Sequence, residues 1–484
     1  MSTAPCPIGP SPSRRLQARR SVAAALILLP LAGVAGAAEV SSVPAGSEAG
    51  AFRHLRALGE IAERHGGHRA AGSPGYDASA EYVGERLREA GYAVRFEPFD
   101  VLTFTERSPP RLSLLPDGAP ERTLPGDEVR TLQQSGGGEA RGSVVPVDLG
   151  LPGDGSPGPS TSGCEAEDFA GFPRGAVALL RRGTCPFQAK VERAVEAGAA
   201  GLVIMNEGGD GRTAVFAGNL SRPAPVPVLG VSTRLGREIE AAARAGASVR
   251  LAVDASSETH RTHNVVADSL GDPSRTVVAG AHLDSVPEGP GINDNGSGSA
   301  VLLEAALRLA KGTPPANRVR FAFWGAEERG LVGSRHHVEA LTETERRGIA
   351  LYVNLDMVGS VNFVRAIQGG GEQGGAAGAA RAAVTGYFAG RNLPLDERSG
   401  GGLRGYSSDM AAFAAKGIPW IGFYTGAGEP KRPETAARFG GAAGQPHDPC
   451  YHRSCDTLAN VDPGLLADWT EALIRALGAV AFEG

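Results

Sequence analysis

Two stretches near the start of the chain alternate in ways that select different structures. Leu55, Leu58, Ile61 and Ala62, then Tyr82, Val83 and Leu87, recur at helical spacing across residues 52–93, and "GYAVRFEPFDV" (Gly91 to Val101) alternates like a strand. A polar, Gly-rich stretch, "LQQSGGGEARG", then marks a boundary. From 136 to 254 the apolar runs are short and separated by turns: "GAVALLRRG", "AGLVIMNEG" and "VPVLGVS", with one helix, "QAKVERAVEAG", among them. From 255 onward the rhythm is strand and helix in alternation. "TVVAGAHL", "VRFAFWG", "IALYVNLDM" and "IPWIGFYTG" are predicted strands. "SAVLLEAALRLAKG", "GSRHHVEAL", "MAAFAAKG" and the closing "PGLLADWTEALIRALGAVAF" are predicted helices. Near-continuous apolar strands alternating with helices predict an α/β fold: a mixed, mostly parallel sheet with helices on both faces.

One apolar run stands apart. Arg14, Arg15, Arg19 and Arg20 precede an apolar stretch from Val22 to Val34, and Ala35-Gly36-Ala37 follows as a cleavage pattern. The run is too short for a transmembrane helix and reads as an export leader, residues 1–37, with Arg19-Arg20 leaving a twin-arginine route open. The mature form is then expected outside the cell and off the membrane. Cysteine usage agrees. Cys6 lies in the leader, and the other four pair by proximity as Cys164 with Cys185 and Cys450 with Cys455, one of three possible connectivities.

Composition adds two points. A net charge of −5 argues against nucleic acid as a partner. Gly and Pro number 69 and 34 among 484 residues, which predicts a loop-heavy molecule. Part of that excess sits in "GPGINDNGSGS" and in "GAGEPKRPETAARFGGAAGQP", where backbone must turn tightly.

Candidate chemistry follows the strands. Ligands in open α/β sheets bind beyond the carboxyl ends of the strands. "TVVAGA" runs into His282-Leu283-Asp284, "VRFAFWGA" into Glu327-Glu328, and "IALYVNL" into Asp356, while Asp294 lies in the Gly-rich loop between the first two. "CYHRSCDTL" puts His452 between two cysteines. Two histidines and several carboxylates suit Zn²⁺ or another first-row divalent metal, and His282, Asp294, Glu328, Asp356 and His452 have the stoichiometry for two metals with one bridging carboxylate. Glu327 is left beside a ligand as a proton acceptor, and Asp284 is placed to take the other imidazole N–H of His282. Each piece alone also reads as structural: an H-x-D pair, a solvated Glu-Glu loop, a helix-capping Asp.

The four segments "AHLDSVPEGPGINDNGSGSA", "FAFWGAEERGLVGS", "NLDMVGS" and "CYHRSCDTL", with "FYTGAG" and "ARFGGAAGQ", closely resemble the co-catalytic di-zinc aminopeptidases, family twenty-eight of the metallopeptidases. The likeness extends over most of 255–484. It implies two zinc ions per chain: one on His282 and Asp356, the other on Glu328 and His452, with Asp294 bridging. It implies Glu327 as general base, Tyr451 as a donor to the scissile carbonyl, and a cis peptide after Asp294. Tyr424 falls where relatives carry a pocket aromatic, and a Leu-like first residue of a peptide or protein N-terminus is the implied substrate. "CEAEDFAGFPRGAVALLRRGTCPFQAKVERAVEAGAAGLVIMNE" resembles a protease-associated (PA) domain, of no stated partner. The implied organisation is a peptidase segment at 52–135, a PA insert at 136–254 and the catalytic segment at 255–484. The chain departs from relatives at Ser407-Ser408-Asp409, where they carry an Arg-Ser-Asp run and the nearest Arg here is Arg404. His447 is assigned a structural role, and the His336-His337 pair to surface or packing. The alternatives are a carboxypeptidase, dipeptidase or one-metal glutaminyl cyclase of the same fold, or a non-catalytic receptor. The presence of all five ligands and Glu327 speaks against the last.

Overall fold

In the computed structural model the described residues are 50–150, 160–209, 211–369, 374–397 and 408–482. The leader, Arg404 and Ser407 lie outside them.

The first segment folds as its spacing predicts. α1 (Ala51–Arg64) buries Leu55, Leu58, Ile61 and Ala62, and α2 (Pro74–Glu89) starts at Ser73, whose hydroxyl accepts the Tyr76 amide. β1 (Ala93–Leu115) continues well past Val101. It crosses Pro109 and Pro110 with register shifts on both sides of Ser108, which is how a strand accommodates residues that cannot donate to the ladder.

The middle region holds β2 (Arg122–Thr123), β3 (Val129–Thr131), β4 (Gly138–Pro146), β5 (Val177–Arg181), α3 (Phe187–Glu196), β6 (Gly201–Met205), β7 (Val228–Val231) and α4 (Thr233–Arg244). The single helix predicted here has a companion. Ser232 caps α4 through the Leu235 amide, and Leu235 and Ile239 bury one face at i, i+4 spacing.

The last region holds β8 (Ser248–Asp268), β9 (Asp272–His282), α5 (Gly298–Leu309), β10 (Asn317–Trp324), α6 (Val332–Ala340), α7 (Glu343–Gly348), β11 (Ile349–Leu355), β12 (Ala366–Gly369), α8 (Gly375–Gly390), β13 (Asp396–Glu397), α9 (Met410–Ala414), β14 (Trp420–Tyr424), α10 (Pro433–Phe439) and α11 (Pro463–Ala481). The helices α7, α8 and α10 are additional to those read from the sequence.

Fourteen strands join in one mixed sheet ordered β13-β12-β14-β11-β9-β10-β8-β4-β5-β6-β7-β3, with β1 along β8 and β2 on β1. β10, β9, β11 and β14 are mutually parallel, as are β4, β5, β6 and β7. β8 pairs with β10 through residues 265–268 and with β4 through residues 248–253, so one strand serves both halves. Its pairing with β1 runs almost without interruption from Ala93–Asp268 to Leu115–Ser248.

Alternation decides which helices cover which face. Val277, Ala279, Leu351 and Val353 pack with residues of α1, α2, α5, α8 and α11. Their neighbours Val278, Ala322, Trp324 and Tyr352 turn the other way, against Val338 of α6 and Met410 and Phe413 of α9. Both faces of the central strands are thereby covered. Both disulfides form, Cys164–Cys185 and Cys450–Cys455, with Cα separations of 5.9 and 5.3 Å. No helix among the described residues is long and apolar enough to cross a membrane.

Candidate metal centre

Because β9, β10, β11 and β14 run parallel, their carboxyl ends share one edge. His282 is the last residue of β9, Glu327 and Glu328 come three and four residues after the end of β10, and Asp356 follows β11 directly. The loop before α5 brings in Asp294, and the disulfide loop brings in His452. Two groups result: His282 with Asp294 and Asp356, and His452 with Asp294 and Glu328, each with its ligand atoms within 4.8 Å of one another. Asp294 belongs to both. Its Oδ1 is 3.4 Å from His282 Nε2 and its Oδ2 is 3.2 Å from His452 Nε2. Asp356 Oδ1 is also 3.4 Å from His282 Nε2, and Glu328 Oε2 is 3.2 Å from His452 Nε2. His452 is the most accessible member, its side chain 39% exposed; His282, Asp294 and Asp356 are buried, and Glu328 is half-buried.

The electrostatics show what the cluster lacks. His282 Nε2, Asp356 Oδ1 and Glu328 Oε1 are buried without a hydrogen-bond partner. Burial pulls His282 down, but Asp356 and Glu327 outweigh it and hold the imidazole well above its usual value. Burial pushes Glu328 up to about 7, with Asp294 adding to it. Burial also pushes Glu327 well above the carboxylate range, against the pull of His282 and with the help of Asp409 and Asp356. A largely buried cluster of crowded carboxylates with orphaned ligand atoms fits multivalent cations. The donor set, imidazole nitrogen and carboxylate oxygen with no thiolate, fits zinc.

One sequence expectation is corrected. His282 Nδ1 donates to the backbone carbonyl of Asp284, 3.1 Å away, while the Asp284 carboxylate stands 3.7 Å off. That carboxylate accepts instead from the backbone amides of Glu327 and Glu328, at 3.1 and 3.3 Å. Asp284 therefore fixes His282 through its main chain and the Glu327–Glu328 turn through its side chain. With its proton on Nδ1, the imidazole presents Nε2 to Asp294 and Asp356.

Backbone geometry supports the arrangement. Ala326, Met357 and His452 are non-glycine residues with φ of 58°, 50° and 57°, and each borders or is a residue of the cluster. Left-handed backbone at such residues is costly and concentrates at functional sites. The Asp294–Asn295 peptide is cis, as the resemblance implies. The Tyr451 ring stacks on that of His452, with centroids 3.9 Å apart.

Three supporting residues were not read from the sequence. Asp456 accepts the amides of Asn293 and Asp294 at 2.8 and 3.0 Å. Asp448 accepts from the Asn293 side chain at 2.6 Å and from the Cys450 amide at 2.7 Å. The two aspartates flank the disulfide loop and so tie His452 to the loop of Asp294. Arg69, fully buried between α1 and α2, donates to the carbonyls of Leu283, Pro290 and Gly291 and clamps the stretch between His282 and Asp294. Buried His337 meets Glu97 at 2.8 Å, His447 meets the Asn362 carbonyl at 2.7 Å, and His336 is exposed.

Comparison with known proteins gives a consistent picture. The family model for peptidase family M28 matches residues 264–477, and that for the PA domain matches residues 140–239. An aminopeptidase of Pseudomonas aeruginosa is 42% identical over 435 residues, covering 87% of this chain and 78% of the relative. A leucine aminopeptidase 2 of Trichophyton rubrum is 37% identical, covering 66% of this chain and 65% of the relative. Among solved structures, the aminopeptidase from Aneurinibacillus sp. strain AM-1 superposes with a TM-score of 0.65 at 25% identity, covering 90% of this chain and 94% of that one.

Proposed function

The chain belongs to peptidase family M28, carries a PA domain and is an aminopeptidase, and from that premise we propose that it is an exported two-zinc enzyme that removes Leu-like residues from peptide N-termini. His282 and Asp356 would hold one zinc and Glu328 and His452 the other, with Asp294 common to both groups. The observation that carries this reading is the sharing of Asp294, one carboxylate oxygen toward each histidine. When bound, the zinc ions supply Lewis acidity toward water and the peptide carbonyl.

The rest of the chemistry belongs to the side chains. Glu327 takes a proton from the attacking water and delivers it to the leaving amine nitrogen as the carbon–nitrogen bond breaks. Its burial favours a high proton affinity, which a general base requires. Tyr451 donates a hydrogen bond to the oxygen of the scissile carbonyl as negative charge builds there. Asp284 holds the Glu327–Glu328 turn in register through the two amides it accepts. The substrate's free α-amino group meets the carboxylates of the site, which restricts cleavage to chain ends. Residues 136–254 form the PA insert between the peptidase segments 52–135 and 255–484, and residues 1–37 direct export. The leucine preference draws on the Trichophyton rubrum relative and on the apolar surroundings of Tyr424.

A panel of aminoacyl-p-nitroanilides with free and blocked amino groups tests the reading. Leu-p-nitroanilide is expected to be hydrolysed and its N-acetyl form left intact. Equal hydrolysis of the two overturns the aminopeptidase assignment. Elemental analysis is expected to find two zinc ions per chain, and a value of one points to the cyclase-like alternative.

A further inference from the structure

The chain from Leu283 to Gly291 belongs to no helix or strand, yet it links His282 to Asp294, the residue common to both ligand groups. One side chain from elsewhere in the sequence governs its course. Arg69, in the connection between α1 and α2, is fully buried. Its guanidinium donates to the carbonyl of Leu283, directly after His282, and to those of Pro290 and Gly291, shortly before Asp294. Its main chain takes a second grip between those points. The Arg69 amide donates to the Ser285 hydroxyl at 2.9 Å, and the Ser285 amide donates to the Arg69 carbonyl at 3.3 Å. The approach is close: a Cβ at Gly291 would stand 3.3 Å from Arg69 Nη2 and 2.4 Å from the Ser285 Cβ.

The charge of Arg69 is used at longer range. Each of the three guanidinium acceptors is a neutral carbonyl. Burial pulls the guanidinium down to about 10, and the carboxylates of Asp284, Asp456 and Asp294 oppose that pull, so it remains a cation. Asp284 holds the Glu327–Glu328 turn and Asp456 holds the Asp294 amide. One buried cation therefore lies among the groups that place ligands of both metal positions. A planar guanidinium presents its donors at fixed angles, which an ammonium does not.

We propose that Arg69 is a positioning residue that sets the separation of the two metal positions, by fixing the span between His282 and the shared ligand Asp294. It touches neither metal nor substrate and acts through the carbonyls it holds. Without the fork, Asp294 no longer meets both histidine groups at once, and zinc affinity falls before the fold does. This inference rests on the two-zinc reading given above and adds the residue on which its spacing depends.

The test is zinc affinity, by competition with a chelator, together with thermal midpoints of the zinc-loaded and zinc-free chain. Arg69→Lys keeps the charge and loses the fork. It is expected to weaken zinc binding about 10–100-fold. It is also expected to narrow the gap between the loaded and zinc-free midpoints, because stabilisation by a ligand falls with its affinity. On Leu-p-nitroanilide kcat is expected to fall about tenfold with KM within about threefold of the parent. Ser285→Ala removes only the hydroxyl that accepts the Arg69 amide and is expected to move the same readouts the same way, less far. It decides the question if Arg69→Lys does not fold. A residue that serves the fold alone would lower both midpoints equally. That result, with chelator competition unchanged in the folded variants, overturns the proposal. A parent chain that takes up no zinc would instead count against the metal reading, so the two failures are distinguishable.

Discussion

The two halves of the sheet are built alike and end differently. β9, β10, β11 and β14 in one half and β4, β5, β6 and β7 in the other are parallel strands with buried apolar faces. Each half also buries charge beyond its strands. In the insert those charges are met by main chain. Arg181, at the end of β5, donates to the carbonyls of Gly150 and Glu207 at 2.9 and 3.0 Å, and Lys190 donates to the carbonyl of Ser162. Burial lowers Lys190 to about 8, and the Asp168 and Glu165 carboxylates partly offset this. In the catalytic half, His282, Asp356 and Glu328 keep buried ligand atoms without partners. Identical architecture thus serves two ends: where polar groups satisfy one another the strand edge is structural, and where they are left open together it is a site.

The sharpest way to break that contrast is to neutralise one buried charge in each half. Glu327→Gln is expected to lower turnover about 10³-fold with zinc content and fold unchanged. Lys190→Met is expected to leave turnover within about twofold, since its partners, the Ser162 carbonyl and Cys164, belong to the insert. Comparable losses in both, measured on Leu-p-nitroanilide, would erase the distinction. The disulfides give a second pair of measurements. Cys164–Cys185 closes a separation of 21 residues, and its replacement by serines is expected to cost about 3 kcal/mol in denaturant unfolding with kcat preserved. Cys450–Cys455 closes only 5 residues around Tyr451 and His452, and its loss is expected to lower kcat or zinc affinity about 10–100-fold. A pH-dependent effect lies on β1, whose strand is shared by both halves through β8. Glu97 of β1 has its carboxyl lowered to about 2: burial opposes this, but the hydrogen bond from His337 prevails. The folded value lies below the ordinary 4.5, so the stabilisation is complete above that pH and is lost as pH falls toward 2. It amounts to up to about 3 kcal/mol. Thermal unfolding midpoints between those pH values are expected to fall less steeply in Glu97→Gln than in the parent.

What could be read in advance follows the range of the interactions involved. The strands of the catalytic half announce themselves because continuous apolar runs need no distant partner to be recognised, and the metal candidates stand directly after them. α8, "GAAGAARAAVTGYFAG", gives no such signal, since Ala and Gly mark no clear face. β1 is hidden beyond Val101 by Pro109 and Pro110, which normally end a strand and here sit at an irregularity in the ladder. The boundary read at 254/255 from a change in rhythm falls inside β8, because one strand is shared by both halves. In the site, Arg69 and Asp456 escape notice because the groups they hold are more than 160 residues away in sequence. The partner of His282 Nδ1 is ambiguous for the opposite reason: at two residues' spacing, Asp284 offers both a carboxylate and a carbonyl.

The long ladder between β1 and β8 makes the insert separable by design. Thr105 stands opposite Ser256 and Glu106 opposite Ala255, and beyond that rung residues 107–254 comprise the insert and the end of the segment that leads into it. Cutting the chain there and closing it with an Asn-Gly turn would convert the ribbon into an ordinary β-hairpin. Every strand that ends at the metal centre would keep its neighbours. The shortened chain would be a minimal enzyme, against which whatever the PA insert contributes could be measured by subtraction.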